Sequence, residues 1–173
     1  MRNLAIALLF LFICTACPYE SPVPISNKGD KMMESLLGKW QREEDVQNYY
    51  IVEKQDDRNY KIIENAFNDE TGSYDITLYT GFITEIKGTL FFNIKQFKAN
   101  NSSEDEIMIP GQESYYLYKL VVNDDESFQL FPLSNYIREE FDKSNSLKKF
   151  VEQNMELSFF YGEEETFIRS TEE

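Results

Sequence analysis

The alternation of apolar and polar residues predicts a β-rich domain. Between residues 39 and 132 apolar side chains alternate with polar ones, as in Tyr74-Asp75-Ile76-Thr77-Leu78. A period of two is typical of a strand with one buried face. Clusters rich in Asn, Asp and Gly separate the alternating runs and favour tight turns. We therefore expect about eight strands joined by hairpins, in a single antiparallel meander that closes into a small β-barrel.

The segments on either side of the strands have helical spacing instead. Apolar residues between Asp30 and Gly38 recur at i, i+3 and i+4, which predicts a short N-terminal helix. Two further runs with this spacing begin near Ser134 and Asn145 and predict two short helices near the C-terminus. The chain then ends in two short apolar segments, for which we expect a strand and an edge or turn.

The N-terminus has a pattern of its own. Arg2 precedes an unbroken apolar run from Leu4 to Ile13, and small residues follow it. This order is typical of a secretory signal peptide, and the run is shorter than the roughly 20 residues that span a bilayer. An ordinary secreted protein and an uncleaved membrane helix are the alternative interpretations.

The end of this segment carries a resemblance to a known class of protein. Thr15-Ala16-Cys17 resembles the lipobox of bacterial lipoproteins, in which the signal peptide is cut before the cysteine. The resemblance implies that Cys17 becomes the first residue and carries fatty acyl chains such as palmitate. The protein is then expected to be exported and held on a bacterial membrane, the outer membrane of a two-membrane cell, facing the periplasm or the surface.

These features divide the chain into three parts. Residues 1–17 are expected to be the signal peptide, and residues 18–30 a tether that contains three prolines. Proline resists helix and strand and favours an extended chain. Residues 31–173 are expected to form one β-barrel domain, because this length suits a single core and the sequence has no internal repeat.

Net charge excludes one class of partner. The chain has 17 basic and 31 acidic residues and a formal charge of −14. A field of this sign repels nucleic acid, so we expect no nucleic-acid partner. The acidic residues fall into short clusters such as Glu163-Glu164-Glu165, which we interpret as solvated loops.

The sequence offers little chemistry for catalysis. It contains no histidine and two cysteines, which excludes Ser-His-Asp and Cys-His catalysis and zinc sites with histidine ligands. The spacing of Asp and Glu along the chain does not indicate a catalytic pair of carboxylates, and the acidic turns lack the loop of an EF-hand. We therefore expect no catalytic residue, no metal and no cofactor. The 11 tyrosines suit either a recognition surface or ordinary pairing across strands.

One short motif resembles a family of small barrels. Leu37-Gly38-Lys39-Trp40 resembles the Gly-x-Trp signature of lipocalins, and the resemblance covers residues 31–132. It implies that a short helix leads into the first strand, that Trp40 fills the closed end, and that an arginine near the C-terminus stacks over it. Arg169 is the candidate by position. The helices expected after residue 132 depart from the lipocalin pattern, and they could close or fill the cup.

Two functions follow as expectations. The first is a non-catalytic envelope lipoprotein whose filled barrel docks on another envelope component. The alternative is a lipocalin-like carrier that binds a small apolar or amphipathic ligand in the barrel cup. Small barrels are commonly filled by their own side chains, so a continuous apolar cavity would favour the carrier.

Overall fold

The computed structural model describes residues 18–30, 32–99, 106–107 and 114–170, with residues 97–99 and 106–107 described by their backbone alone. The signal peptide and Cys17 therefore lie outside the described residues. The strands are β1 (Glu20–Ser21), β2 (Gly38–Arg42), β3 (Asp45–Lys54), β4 (Asn59–Asn68), β5 (Ser73–Ile86), β6 (Thr89–Ala99), β7 (Glu106–Ile107), β8 (Tyr115–Val122), β9 (Ser127–Pro132) and β10 (Glu165–Arg169).

Eight of these strands form a closed antiparallel barrel. Strands β2 to β6 pair in sequence, β6 pairs with β8, and β8, β9 and β10 follow in order. Strand β10 then pairs with β2, with Arg169 opposite Trp40, and this pairing closes the ring. Strand β1 lies outside, against β8, and β7 pairs with the end of β6. The predicted antiparallel meander is confirmed, and the architecture is consistent with a lipocalin-like barrel.

The predicted arrangement of helices is wrong. Within the described ranges only one helix is longer than a single turn: α1 (Ser144–Asn154), which has 11 residues. It corresponds to the second of the two C-terminal helices expected. No helix in this part of the chain has the length and apolar composition that crossing a bilayer requires.

At the N-terminal side the expected helix is only a single 3-10 turn, Glu34–Leu36. Contacts with the barrel hold the backbone on both sides of this turn. The Met33 amide donates to the Tyr60 hydroxyl at 2.7 Å, and Arg169 donates to the Ser35 and Leu37 carbonyl oxygens at 2.9 and 3.1 Å. Met33 and Leu37, on either side of the turn, are in the extended conformation, so the helical turn does not continue in either direction.

The helix expected after Ser134 is also absent. The Ser134 hydroxyl accepts a hydrogen bond from the Tyr136 amide at 3.2 Å, and the Ile137 amide donates to the Ser134 carbonyl at 3.1 Å. Local side-chain bonds of this kind compete with helix formation. Ile137 and Phe141 nevertheless pack against the buried residues beneath α1, so burial accounts for their spacing without a helix.

The buried side chains form two clusters. One fills the lower part of the barrel and includes Trp40, Tyr60, Phe92 and Phe128. The other lies outside the barrel wall, where Leu147 and Val151 of α1 cover apolar residues of β6 and β8. Because α1 packs on the outer wall, it leaves the barrel interior free.

Residues 18–30, for which the sequence predicts a tether, lie against this outer wall. Ile25 is fully buried, and its amide donates to Asn93 Oδ1 at 2.8 Å. The Asp30 amide donates to the Ile83 carbonyl at 2.8 Å. Residues of this segment thus pack on the barrel, and its role as a tether stays a prediction.

Candidate functional site

The closed end of the barrel brings together the three residues of the fold signature. Trp40 is 1% exposed, and its indole Nε1 donates to the Leu36 carbonyl at 2.9 Å. The Arg169 guanidinium lies 4.4 Å from the centre of the Trp40 ring, within the range of a cation–π contact. Since Arg169 also binds the Ser35 and Leu37 carbonyls, it fastens the 3-10 turn over the base of the barrel.

Gly38 begins β2 with φ at 129°, in the region that favours glycine. A Cβ at this position would lie 2.5 Å from Arg169 Nη1. Any larger residue would therefore displace the arginine that covers Trp40.

This geometry makes a prediction for two glycines with positive φ. Gly88 has φ at 85°, and no heavy atom of the described residues lies within 4 Å of the point that a Cβ would occupy there. Gly88→Ala is therefore expected to cost only the backbone penalty of about 1 kcal/mol. Gly38→Ala is expected to cost at least about 1 kcal/mol more, because φ of 129° lies outside the left-handed helical region and because the new Cβ meets Arg169 Nη1. Chemical unfolding of the two variants measures the difference, and equal losses would contradict the role given to Gly38.

Above the closed end the barrel is hollow. A cavity of about 190 Å³ remains between the strands. Its apolar lining consists mainly of Trp40, Val52, Ile62, Phe92, Ile94, Phe128, Leu130 and Phe167. An apolar protein cavity of about 150 Å³ is enough to bind benzene or xenon. The interior can therefore hold one molecule of about the size of a substituted aromatic ring.

Polar side chains lie on the cavity wall beside this apolar surface. Glu64 accepts hydrogen bonds from the Tyr50 hydroxyl at 3.1 Å and from the Tyr79 hydroxyl at 2.7 Å, one on each carboxylate oxygen. Burial raises the pKa of both tyrosines above the ordinary value, and the neighbouring carboxylate of Glu64 raises it further. Both hydroxyls are consequently neutral donors at physiological pH, and they hold Glu64 in place.

Arg42 and Glu165 form an ion pair on the same wall. Arg42 Nη2 lies 2.9 Å from Glu165 Oε2, and the guanidinium carbon lies 5.8 Å from the Tyr50 ring and 5.9 Å from the Phe167 ring. Burial alone would lower the pKa of Arg42, but its neighbours, among them Glu165 and Glu64, raise it overall. Arg42 Nε is buried, and it has no hydrogen-bond partner among the residues described.

The cavity continues into an acidic crevice at the mouth of the barrel. The two share Pro18, Arg42 and Glu165. Four more glutamates line the crevice: Glu43, Glu44, Glu163 and Glu164. Arg42 is the one basic residue among the described residues that line either space, so these residues give the entrance a strongly negative potential.

The sequence interpretation missed the polar residues of the cavity. It assigned Glu165 to a solvated cluster and gave Arg42 and Glu64 no role. The sequence does contain a pattern that indicates their inward position. Arg42, Glu64 and Glu165 each lie two positions from a buried core residue of the same strand. Arg42 follows Trp40, Glu64 follows Ile62, and Glu165 precedes Phe167. Residues at i and i+2 of a strand share a face.

Other sites are not apparent in the part of the chain that the structure describes. No group of three or more acidic or cysteine side chains there is placed to hold a metal ion. The candidate lipidation site Cys17 precedes the described residues. Comparison with protein-family models, with curated proteins and with solved structures gave no match to this chain.

Proposed function

We propose that this protein is a non-catalytic carrier that binds one small, mainly apolar ligand inside its barrel. The supporting observation is the cavity of about 190 Å³, with aromatic and aliphatic walls and a polar cluster on one side. Binding sites for small molecules are usually concave and apolar with a few placed polar groups. A barrel that only docks through its outer surface needs no such space.

Cavity size limits the ligand. Pockets for drug-sized molecules measure roughly 300–1,000 Å³, and this one is smaller. A ligand with about the volume of a phenylethyl group fits, whereas a complete long-chain lipid does not. The ligand is therefore proposed to be a compact molecule with one polar end.

The proposed carrier is held at a membrane by acyl chains on Cys17. Pro18, the next residue, lines the barrel mouth, so an anchor at Cys17 would bring the mouth close to the bilayer surface. Each buried CH₂ contributes about 0.8 kcal/mol to such an anchor. Mass spectrometry of the mature N-terminal peptide tests this part of the proposal. An unmodified Cys17 in the exported protein would contradict it.

A titration with 2-phenylethanol tests the carrier proposal. We expect saturable one-to-one binding by calorimetry, accompanied by a change in the fluorescence of Trp40, the single tryptophan of the chain, which lines the cavity. Ile94 also lines the cavity, and Ile94→Phe is expected to weaken binding at least about tenfold by occupying the space.

Ile76→Phe is the matched control for that variant. Ile76 is 65% exposed, so the same change there should leave the affinity unaltered. Equal affinity of all three proteins, or no saturable binding of any compound of this size, would contradict an internal site.

Docking on another envelope component is the second candidate, and a patch on the outer wall favours it. Val46, Tyr74 and Ile76 are 69%, 44% and 65% exposed, and the Tyr74 ring contacts the rings of Tyr49 and Phe67. Exposed apolar groups of this kind are found at protein contacts. A photo-crosslinking residue at position 76 should then join one envelope protein in cells, and one at Glu53 should not; no adduct at position 76 would contradict docking.

A further inference from the structure

We propose that the ligand of the cavity is a small primary amine, with its ammonium group at Glu64 and its apolar body against the aromatic wall. This inference rests on the proposed carrier function and specifies the chemical class of the ligand. Three features support it: the balance of charge inside the barrel, the geometry of Glu64, and the charge of the entrance.

The cavity wall carries one more negative charge than positive. Among the described residues that line it, Arg42 is the single basic residue, and Glu64 and Glu165 are the two acidic residues. Arg42 binds Glu165 at 2.9 Å and also interacts electrostatically with Glu64, but its single charge faces two carboxylates, and Glu64 has no cation as a hydrogen-bond partner in the described structure. A partly buried carboxylate whose charge is only partly compensated is unfavourable. A ligand with a single positive charge would supply the missing one.

Glu64 has room for such a partner. A carboxylate can accept about four hydrogen bonds, and Glu64 accepts one on each oxygen from Tyr50 and Tyr79. These two bonds fix the direction of the carboxylate and leave lone pairs for further donors. An ammonium group has three donors, and the adjoining aromatic rings would attract it by cation–π contacts.

The entrance favours the same sign of charge. Glu43, Glu44, Glu163 and Glu164 line the crevice that adjoins the cavity, on a protein with a formal charge of −14. Such a field raises the local concentration of cations and lowers that of anions. A carboxylate ligand would face both this field and the carboxylates of Glu64 and Glu165.

Arg42 Nε, which has no hydrogen-bond partner among the described residues, favours a different class of ligand, one that carries a hydrogen-bond acceptor. A ligand carboxylate or hydroxyl could accept its hydrogen bond. The carboxylate would have to displace Glu165 or lie beside it, because Glu165 already binds the same guanidinium. The test therefore includes a neutral acceptor and an anion with the same apolar body.

Three ligands that share the phenylethyl body separate these possibilities by calorimetry at neutral pH. We expect 2-phenylethylamine to bind more tightly than 2-phenylethanol by on the order of 10- to 100-fold, the usual contribution of a charged hydrogen bond. We expect 3-phenylpropionate to bind most weakly. In the Glu64→Gln variant, the affinity for the amine should fall to that for the alcohol. The affinity for the alcohol should stay within about threefold of the wild-type value.

Glu70→Gln is the matched control, since it removes the same charge from the exposed turn between β4 and β5 and should alter neither affinity. If Glu64→Gln fails to fold, the wild-type protein still gives a test: added salt should weaken the amine and not the alcohol. An amine that binds no better than the alcohol would overturn the inference and leave the carrier function intact. Tightest binding of the carboxylate would also overturn it, and failure of all three ligands would overturn both proposals.

Discussion

Replacing Trp40 with alanine is expected to lower the free energy of unfolding by about 3–5 kcal/mol. The indole is 1% exposed and lies edge-on to Phe128, with ring centres 4.7 Å apart. Its removal leaves a void below the ligand cavity, withdraws the donor from the Leu36 carbonyl, and uncovers the Arg169 guanidinium that stacks on it. All three losses occur at the closed end, so the 3-10 turn there should loosen first.

Circular dichroism during chemical or thermal unfolding measures this effect. A loss of this size corresponds to a fall of about 10 °C or more in the melting temperature of a domain of this length. Tyr136→Ala is the control, because Tyr136 is 77% exposed and its loss should change stability by less than about 0.5 kcal/mol. An unchanged unfolding midpoint for Trp40→Ala would contradict the assignment of Trp40 as the base of the barrel.

Alkaline conditions are expected to destabilise the protein steeply above pH 10. Burial raises the pKa of Tyr60 from 10.0 to about 12, and it also raises the pKa values of Tyr50, Tyr79 and Tyr118. The unfolded chain releases these protons near pH 10, whereas the folded barrel retains them. Stability is therefore complete below pH 10 and falls as the pH rises towards the folded-state values. Tyr60, which is fully buried, accounts for on the order of 3 kcal/mol.

Denaturant midpoints measured at several pH values, together with the absorbance of tyrosinate, test this expectation. Tyr60→Phe is expected to lower stability at neutral pH by about 1–3 kcal/mol, because the Met33 amide loses its acceptor. The same variant should show a shallower fall above pH 10. Tyr136→Phe, at an exposed position, should keep the full slope. A midpoint that stays constant up to pH 12 would contradict the buried state of these tyrosines.

The barrel itself could be predicted from the sequence because most of its strands alternate and its turns have clear composition. The run from Tyr74 onward predicts a strand, and β5 pairs with both β4 and β6 over most of its length. The face expected to be buried was wrong for the first half of β5, where Tyr74 and Ile76 are exposed, whereas Tyr79, on the opposite face, lines the cavity. Each hairpin is local, so the order of the meander follows from the order of the strands along the chain.

The helices were less predictable because, over a single turn, apolar residues at helical spacing can be buried without forming a helix. Met32 and Leu36 are buried in the barrel core, but Tyr60 and Arg169, both distant in sequence, bind the backbone between them. No local pattern reports contacts of that kind. The 11-residue α1 was predictable, since Leu147 and Val151 repeat at i and i+4 and are both fully buried.

The ligand cavity was the least predictable feature. Whether a small barrel is filled depends on the shapes of side chains from several strands, and a list of aromatic residues does not determine those shapes. Its polar cluster combines residues of β2, β3, β4, β5 and β10. The alternation of side chains along each strand indicates that these residues point inward. The hydrogen bonds of Glu64 to two tyrosines could not be predicted, because they depend on the register between neighbouring strands.

The central claim is that the barrel interior is empty space and not packed side chains, and a crystal structure of the protein under xenon pressure tests it most directly. Xenon enters dry apolar cavities of this size. A xenon atom is expected between Val52, Ile62 and Phe92, within the cavity of about 190 Å³. An interior filled by these side chains, with no xenon among them, would contradict it.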